Sequence, residues 1–274
     1  MDSSFQIQPL SIDSANASLY IEISSHGLSY VMISNGLVLA LNIYNFNDSP
    51  SDQQTADYIQ QIIAKHPFLQ QKFASVHIIY SYAASVLLPQ EFFDSTDHKA
   101  MLELVYGNCG EQMIKSDFMQ QYSIHNIYCI PSIINEVMNR NFAAAKHKHH
   151  FSCMPDLLSG LDTNLYCIFG HGQMKAMIKK SGKLQAMQLF EFKTPQDAAY
   201  HLLNLCQSFE VDVKNCALLL SGMVTENSAL YNELYKYFLQ IQFVPLSDSL
   251  QYPNEMDNYP SHYFSHLFSI TACV

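Results

Sequence analysis

Residues 19–46 read LYIEISSHGLSYVMISNGLVLALNIYNF, and residues 165–192 read LYCIFGHGQMKAMIKKSGKLQAMQLFEF. The two stretches are equally long. Leu19 and Tyr20 match Leu165 and Tyr166, Gly36 matches Gly182, Ala40 matches Ala186, and Phe46 matches Phe192. His26 and Gly27 match His171 and Gly172 if the turn in the second stretch is one residue shorter. Each stretch has β-rich runs broken by two Gly-containing turns, the pattern of a three-stranded meander. An internal repeat of this kind decides the architecture before any single motif does.

The segments after the two meanders are also alike. Residues 50–65 and 194–209 carry the apolar spacing of amphipathic helices. Ser51 or Asp52 is placed to cap the first and Thr194 the second, with Pro195 at the first helical position. Short apolar strands come next, at 76–80 and 217–221. Further on, 126–130 reads as a strand leading into a helix at 132–140, 228–239 as a helix, and 241–244 as a last strand. The unit is strand-strand-strand-helix-strand-helix, used twice: an α/β protein whose mixed sheets are covered by helices.

Composition sets limits on partners. The chain has 274 residues and a formal net charge of -10, and charged residues make up only 14%. Arg140 is the single arginine. The short basic clusters at 146–150 and 175–183 are too small to displace counterions from nucleic acid or to hold an anionic membrane. No apolar run reaches the roughly 18 residues of a spanning helix, and residues 1–10 lack the regions of a signal peptide. Seven scattered cysteines without CxxC spacing read as reduced core residues, which predicts a cytoplasmic location. The low charge and the 17 Tyr and 17 Phe suit a surface partly covered by another protein or by self-association, although neutral polar residues alone could also supply that surface.

The stretches ISSHGLSYVM (23–32), SVLLPQEFF (85–93), NIYCIP (126–131), SGMVTENSALYNELYKYF (221–238) and PSHYFSHLF (260–268) together resemble an uncharacterised Bacteroidetes family described as having an actin-like ATPase fold. The fold is also similar to that of the actin-like assembly protein of type IV pili. The resemblance implies duplicated ribonuclease H-like subdomains: a first at 1–160, a second at 161–250, and a C-terminal helix at 251–274 returning to the first. It also implies a nucleotide cleft whose phosphates are wrapped by the first turn of each half, with an Asp in each turn serving Mg²⁺ or the attacking water.

Against that implied pattern, this chain is degraded. Ser25, His26 and Gly27 stand at the first turn and Gly170, His171 and Gly172 at the second, with no carboxylate in either. Gly222 is alone where paired glycines would meet adenosine. These seven residues are the candidate cofactor site, and the glycines serve equally well as hairpin formers. No catalytic or metal-binding residue is assigned and no cofactor is expected, while ATP bound without turnover stays open. The expectation is a non-catalytic binding or scaffold module. The alternative is an ATP-binding enzyme or switch with relocated ligands among Glu22, Asp156 and Asp162.

Other constellations are weaker. His147, His149 and His150 with Cys153 and Asp156 form no recognised zinc spacing and read as a polar, exposed segment. His262 and His266 share a helix face but lack the neighbouring glutamate of a zinc protease, so they read as packing. Cys129 near His125 reads as core, and Ser85 and Ser221 lack an evident base.

Overall fold

The computed structural model describes residues 3–8, 14–46, 50–157 and 162–272. The chain divides into two compact units. One holds the chain up to Cys153 together with Ser249–Pro253, and the other holds Met154–Asp248 and the chain from Asn254 onward.

The first unit runs β1 (Phe5–Ile7), β2 (Ser18–Ser24), β3 (Gly27–Ser34), β4 (Leu37–Asn45), α1 (Asp52–Lys65), β5 (Ser75–Tyr80), β6 (Ser85–Pro89), α2 (His98–Tyr106), β7 (Gln112–Met119), β8 (Ile124–Pro131), α3 (Ser132–Asn141), β9 (Lys146–His149) and α4 (His150–Cys153). Its main sheet has the order β1-β4-β3-β2-β5-β9, and a second sheet has the order β6-β8-β7. Alternation along β2 sends Leu19, Ile21 and Ile23 to one face. There they meet Ala56, Ile59, Ile62 and Ile63 of α1 and Ile134, Val137 and Met138 of α3. Each large apolar side chain in this layer, fully buried, contributes about 1.5–3 kcal/mol.

The second unit runs β10 (Asn164–Phe169), β11 (Gln173–Lys180), β12 (Lys183–Glu191), α5 (Pro195–Ser208), β13 (Ala217–Gly222), α6 (Ala229–Tyr235), β14 (Gln240–Phe243) and α7 (Ser265–Ser269). Its sheet has the order β12-β11-β10-β13-β14, the order of β4-β3-β2-β5-β9 repeated. The irregularities repeat as well. The register of the outer hairpin shifts after Met32 in one unit and after Ile178 in the other. Both hairpins turn through two residues at positive φ, Asn35-Gly36 and Ser181-Gly182, a backbone that suits the twist of paired strands. The caps repeat too: Ser51 with Gln54 and Thr194 with Asp197 form reciprocal capping boxes, with Pro195 in the first turn.

Four expectations need correction. First, the two first turns are equally long. Ile23 pairs with Leu28 as Phe169 pairs with Met174, and Gly170 N–H donates to Gln173 O at the position where Ser24 pairs with Gly27. Gly172 is therefore the counterpart of His26, not of Gly27. Second, the 228–239 helix is regular only over Ala229–Tyr235 and closes through the Phe238 N–H to Leu234 O bond. Third, the units divide after Cys153, ahead of the expected boundary at 160, and residues 158–161 lie outside the described residues. Fourth, the C-terminal segment does not return to the first unit. Only Ser249–Pro253 belongs there, through Gln251, which exchanges backbone bonds with Gly36 and Val38. From Asn254 the chain belongs to the second unit, where the His262 ring stacks on Phe243 at 4.0 Å and donates from Nε2 to Val224 O at 2.6 Å. Among the described residues, no helix is long and apolar enough to cross a membrane.

Candidate functional site

The first turn is closed by its own side chains. His26 N–H donates to Ser24 Oγ at 3.1 Å, Ser24 Oγ donates to Gly27 O at 3.4 Å, and Ser25 Oγ lies 2.8 Å from His26 Nδ1. One backbone donor that a phosphate would need is therefore occupied. Gly27 has no positive φ, yet a Cβ there would stand 2.4 Å from Tyr44 O. This glycine permits the close passage of β3 against β4.

In the second turn Gly170 and His171 are exposed, as is Gly172. Gly172 has φ +68 with nothing within 4 Å of a built Cβ. Gly222 ends β13 with φ +83, and its Cβ would lie 2.1 Å from Phe169 O. The next residue, Met223, donates its N–H to that same oxygen at 2.7 Å. Gly222 thus lets two parallel strands stay paired to their ends, and within the second unit it adjoins the turn that begins at Gly170. The structure brings Gly222 and residues 170–172 together, and it places Ser25, His26 and Gly27 in the first unit.

The carboxylates considered as substitutes for the missing Asp residues do not gather at a turn. Glu22 lies on β2, on the face opposite Ile21 and Ile23, and its Oε1 meets His150 Nδ1 at 3.0 Å. Asp162 is exposed just ahead of β10, and the Asp156 side chain lies outside the described residues. Among the described residues, no three His, Cys, Asp or Glu side chains are grouped to hold a metal ion.

The histidine tract is not an exposed segment. His149 and His150 are each 1% exposed. His149 Nε2 donates to Tyr82 O at 3.0 Å while its Nδ1 accepts from Phe151 N–H, so the ring is neutral. His147 stacks on Tyr80 with Nδ1 3.0 Å from the phenol oxygen, and burial pushes its pKa down to about 4. Beside this tract is a polar network that the sequence reading missed. The Asp117 carboxylate accepts from His149 N–H and Ser152 Oγ, both at 2.6 Å, and from Tyr128 OH at 3.2 Å. Asn126 Nδ2 donates to Ser152 Oγ and its Oδ1 accepts from Ser85 Oγ. Burial nevertheless holds the Asp117 pKa above its ordinary value. The network ties the β6-β8-β7 sheet to the end of β9 as a cross-brace. Strand alternation alone could not show that His149 and His150 are both buried, because β9 ends at His149 and the turn into α4 buries His150 as well.

The remaining candidates are structural. His125 is stacked between Phe93 and Phe118, at 3.6 and 4.7 Å, with Nε2 on Gln90 Oε1. Cys129 Sγ lies 3.3 Å from Cys109 Sγ, and burial pushes its thiol up to about 12, which removes it as a nucleophile. Ser221 does have a histidine nearby, His266 Nδ1 at 3.4 Å. That distance is beyond general-base reach, and Ser221 is fully buried with Ser265 Oγ at 2.7 Å and His262 O at 3.1 Å.

Known proteins share this architecture. A Bacteroides thetaiotaomicron protein with an actin-like ATPase fold and unknown function is 16% identical, with 95% of this chain and 99% of that one covered and a TM-score of 0.74. A chain of the PilM–PilN type IV pilus biogenesis complex is 9% identical over 94% of this chain and 98% of its own, with a TM-score of 0.62. The ethanolamine utilization protein EutJ from Carboxydothermus hydrogenoformans is 8% identical, covers 98% and 92%, and has a TM-score of 0.53. At these identities the likeness establishes the fold, which is the actin-like ATPase fold. No curated protein matches in sequence. The family model that matches residues 7–241 is described as protein of unknown function (DUF3822), and the chain belongs to that family.

Proposed function

We propose that this chain is a non-catalytic actin-like module that works by binding another protein, and that its nucleotide site is vestigial. The observation that carries this reading is the chemistry of the two first turns. Neither has a carboxylate within it, and Glu22, two residues ahead of the first turn on β2, is paired with the buried His150. Mg²⁺ needs hard oxygen ligands, and phosphoryl transfer needs a metal bridging the phosphates together with a group that orients water. Ser25, His26, Gly27, Gly170, His171, Gly172 and Gly222 are then remnants of a nucleotide cradle, kept for the two hairpin turns and, at Gly222, for close strand pairing. Support for a protein partner comes from the low charge and from the PilM–PilN complex, one of whose chains shares the fold. The cysteines described are all free, in keeping with a cytoplasmic setting.

Phosphate release from ATP at several Mg²⁺ and Mn²⁺ concentrations tests the reading. The expected outcome is background turnover. Steady turnover abolished by Glu22→Gln or Asp162→Asn would overturn it. Melting with and without ATP-Mg²⁺ separates binding from turnover, since a ligand at one hundred times its Kd adds about 2.7 kcal/mol.

A further inference from the structure

Helix α2 is apolar on both sides. Leu102 is fully buried and Tyr106 donates its hydroxyl to Ser85 O at 2.9 Å, which fixes the inward face. At about 100° per residue, Ala100 and Leu104, an i,i+4 pair, fall on the opposite side with Val105 beside them, while Met101 packs against the core cluster of Leu102. Leu104 is 86% exposed and Val105 59%. Single exposed apolar residues are ordinary, but a stripe of them on one short helix marks a contact surface. The longer helix α1 of the same unit exposes no large apolar side chain.

The surroundings of the stripe are acidic. Glu91, Asp94, Asp97, Glu103 and Glu111 lie on α2 or within seven residues of its ends, and the helix is only about 13 Å long. Between residues 90 and 111 the one Lys or Arg is Lys99, already held 3.8 Å from Glu103. A second copy packed through the same face would bring acid against acid, at a net charge of -10 per molecule. Nucleic acid and anionic lipid would be repelled for the same reason.

We propose that the outer face of α2 docks a basic amphipathic helix of a partner protein, its apolar side on Ala100, Leu104 and Val105 and its flanking Lys or Arg residues on the acidic side chains of the helix and the segments at its ends. The inference rests on the binding-module reading and locates its surface. Charges of this kind steer encounter and select register, and the apolar stripe supplies the residence time.

The probe is a labelled 14-residue Leu–Lys amphipathic peptide, with a Leu–Glu peptide of the same pattern as control, titrated into the full chain by fluorescence anisotropy. The Leu–Lys peptide should bind and the Leu–Glu peptide should not. L104D/V105D should weaken binding by about tenfold or more, and E91K/E111K should weaken it and flatten its salt dependence. All four positions are exposed, so the variants should melt as the wild type does, which separates lost binding from lost folding. An unchanged affinity in L104D/V105D, or no binding by the wild type, refutes the proposal. A wild-type dimer in sedimentation that L104D/V105D makes monomeric also refutes it, by showing a second copy to be the occupant. Phosphate release by the same preparation would refute the non-catalytic reading and leave the peptide result to be judged separately.

Discussion

Three glycines that sequence reading assigns to a nucleotide site have different structural reasons to be glycine, and alanine substitution separates them. Gly172 has positive φ in open space, so Gly172→Ala incurs only the left-handed backbone penalty, about 1–2 kcal/mol. Gly222→Ala adds a Cβ 2.1 Å from Phe169 O and 3.0 Å from Phe169 C and N, all backbone atoms that cannot rotate away. Forcing strands β10 and β13 apart adds about 1–3 kcal/mol, for a total of about 2–5 kcal/mol. Gly27→Ala carries no φ penalty, but its Cβ would press on Tyr44 O at 2.4 Å, giving an intermediate loss of about 1–3 kcal/mol. For chains of this size 1 kcal/mol moves Tm by about 2–4 °C, so Gly222→Ala should lower Tm by roughly 10 °C and Gly172→Ala by less than about half of that. Thermal and urea melts followed by circular dichroism read the series. If Gly222→Ala melts like the wild type, or if Gly172→Ala is the worse of the two, the steric account fails and a ligand-related reason for Gly222 gains weight.

Asp117→Ala strips the acceptor from His149 N–H, Ser152 and Tyr128 and should cost about 3–5 kcal/mol, with Asp117→Asn costing less; equal melting of all three proteins would refute the cross-brace. Ser51→Ala and Thr194→Ala should each cost about 1 kcal/mol by urea denaturation, and a loss below about 0.3 kcal/mol in both would show the capping boxes to be idle. Burial lowers the pKa of His66, His77, His125, His147 and His262, so on acidification the unfolded chain takes up protons first. The stability they confer is complete above about pH 6.5 and is lost as pH falls from there toward the folded values, His147 at about 4; urea midpoints equal at pH 7.5 and pH 5 would contradict this.

The repeat was legible because local signals and tertiary pairing agree along it. Ser51 and Thr194 cap where a cap is needed, and strand alternation matches the buried face. The β6-β8-β7 sheet was legible only at β8, whose residues are nearly all buried. Strand β7 alternates weakly and carries Lys115 and Asp117, which a periodicity reading assigns to solvent, yet Asp117 is turned inward by partners more than thirty residues away in sequence. Turn length in the second meander was misread because an identical His-Gly pair outweighed register, which only the strand pairing fixes. At the candidate site the missing carboxylates were visible in the sequence. The His150 partner of Glu22 was not, because β5 lies between β2 and β9, the strand that leads into His150.

The β6-β8-β7 sheet and α2 lie in the chain between β5 and β9, and that insertion sets an order of folding. His77 on β5 pairs with Lys146 on β9, whereas Ala217 on β13 pairs with Gln240 on β14. Closing a loop of about 70 residues rather than about 23 costs roughly 1 kcal/mol more in chain entropy before any contact repays it. The second unit, with the more local pairing, should therefore reach its native sheet first, and the first unit should remain longer with the outer edge of β5 unpaired. A refolding jump with one fluorescent probe in each unit reads that order directly, and simultaneous recovery of both probes would show that the insertion folds early enough to shorten the loop.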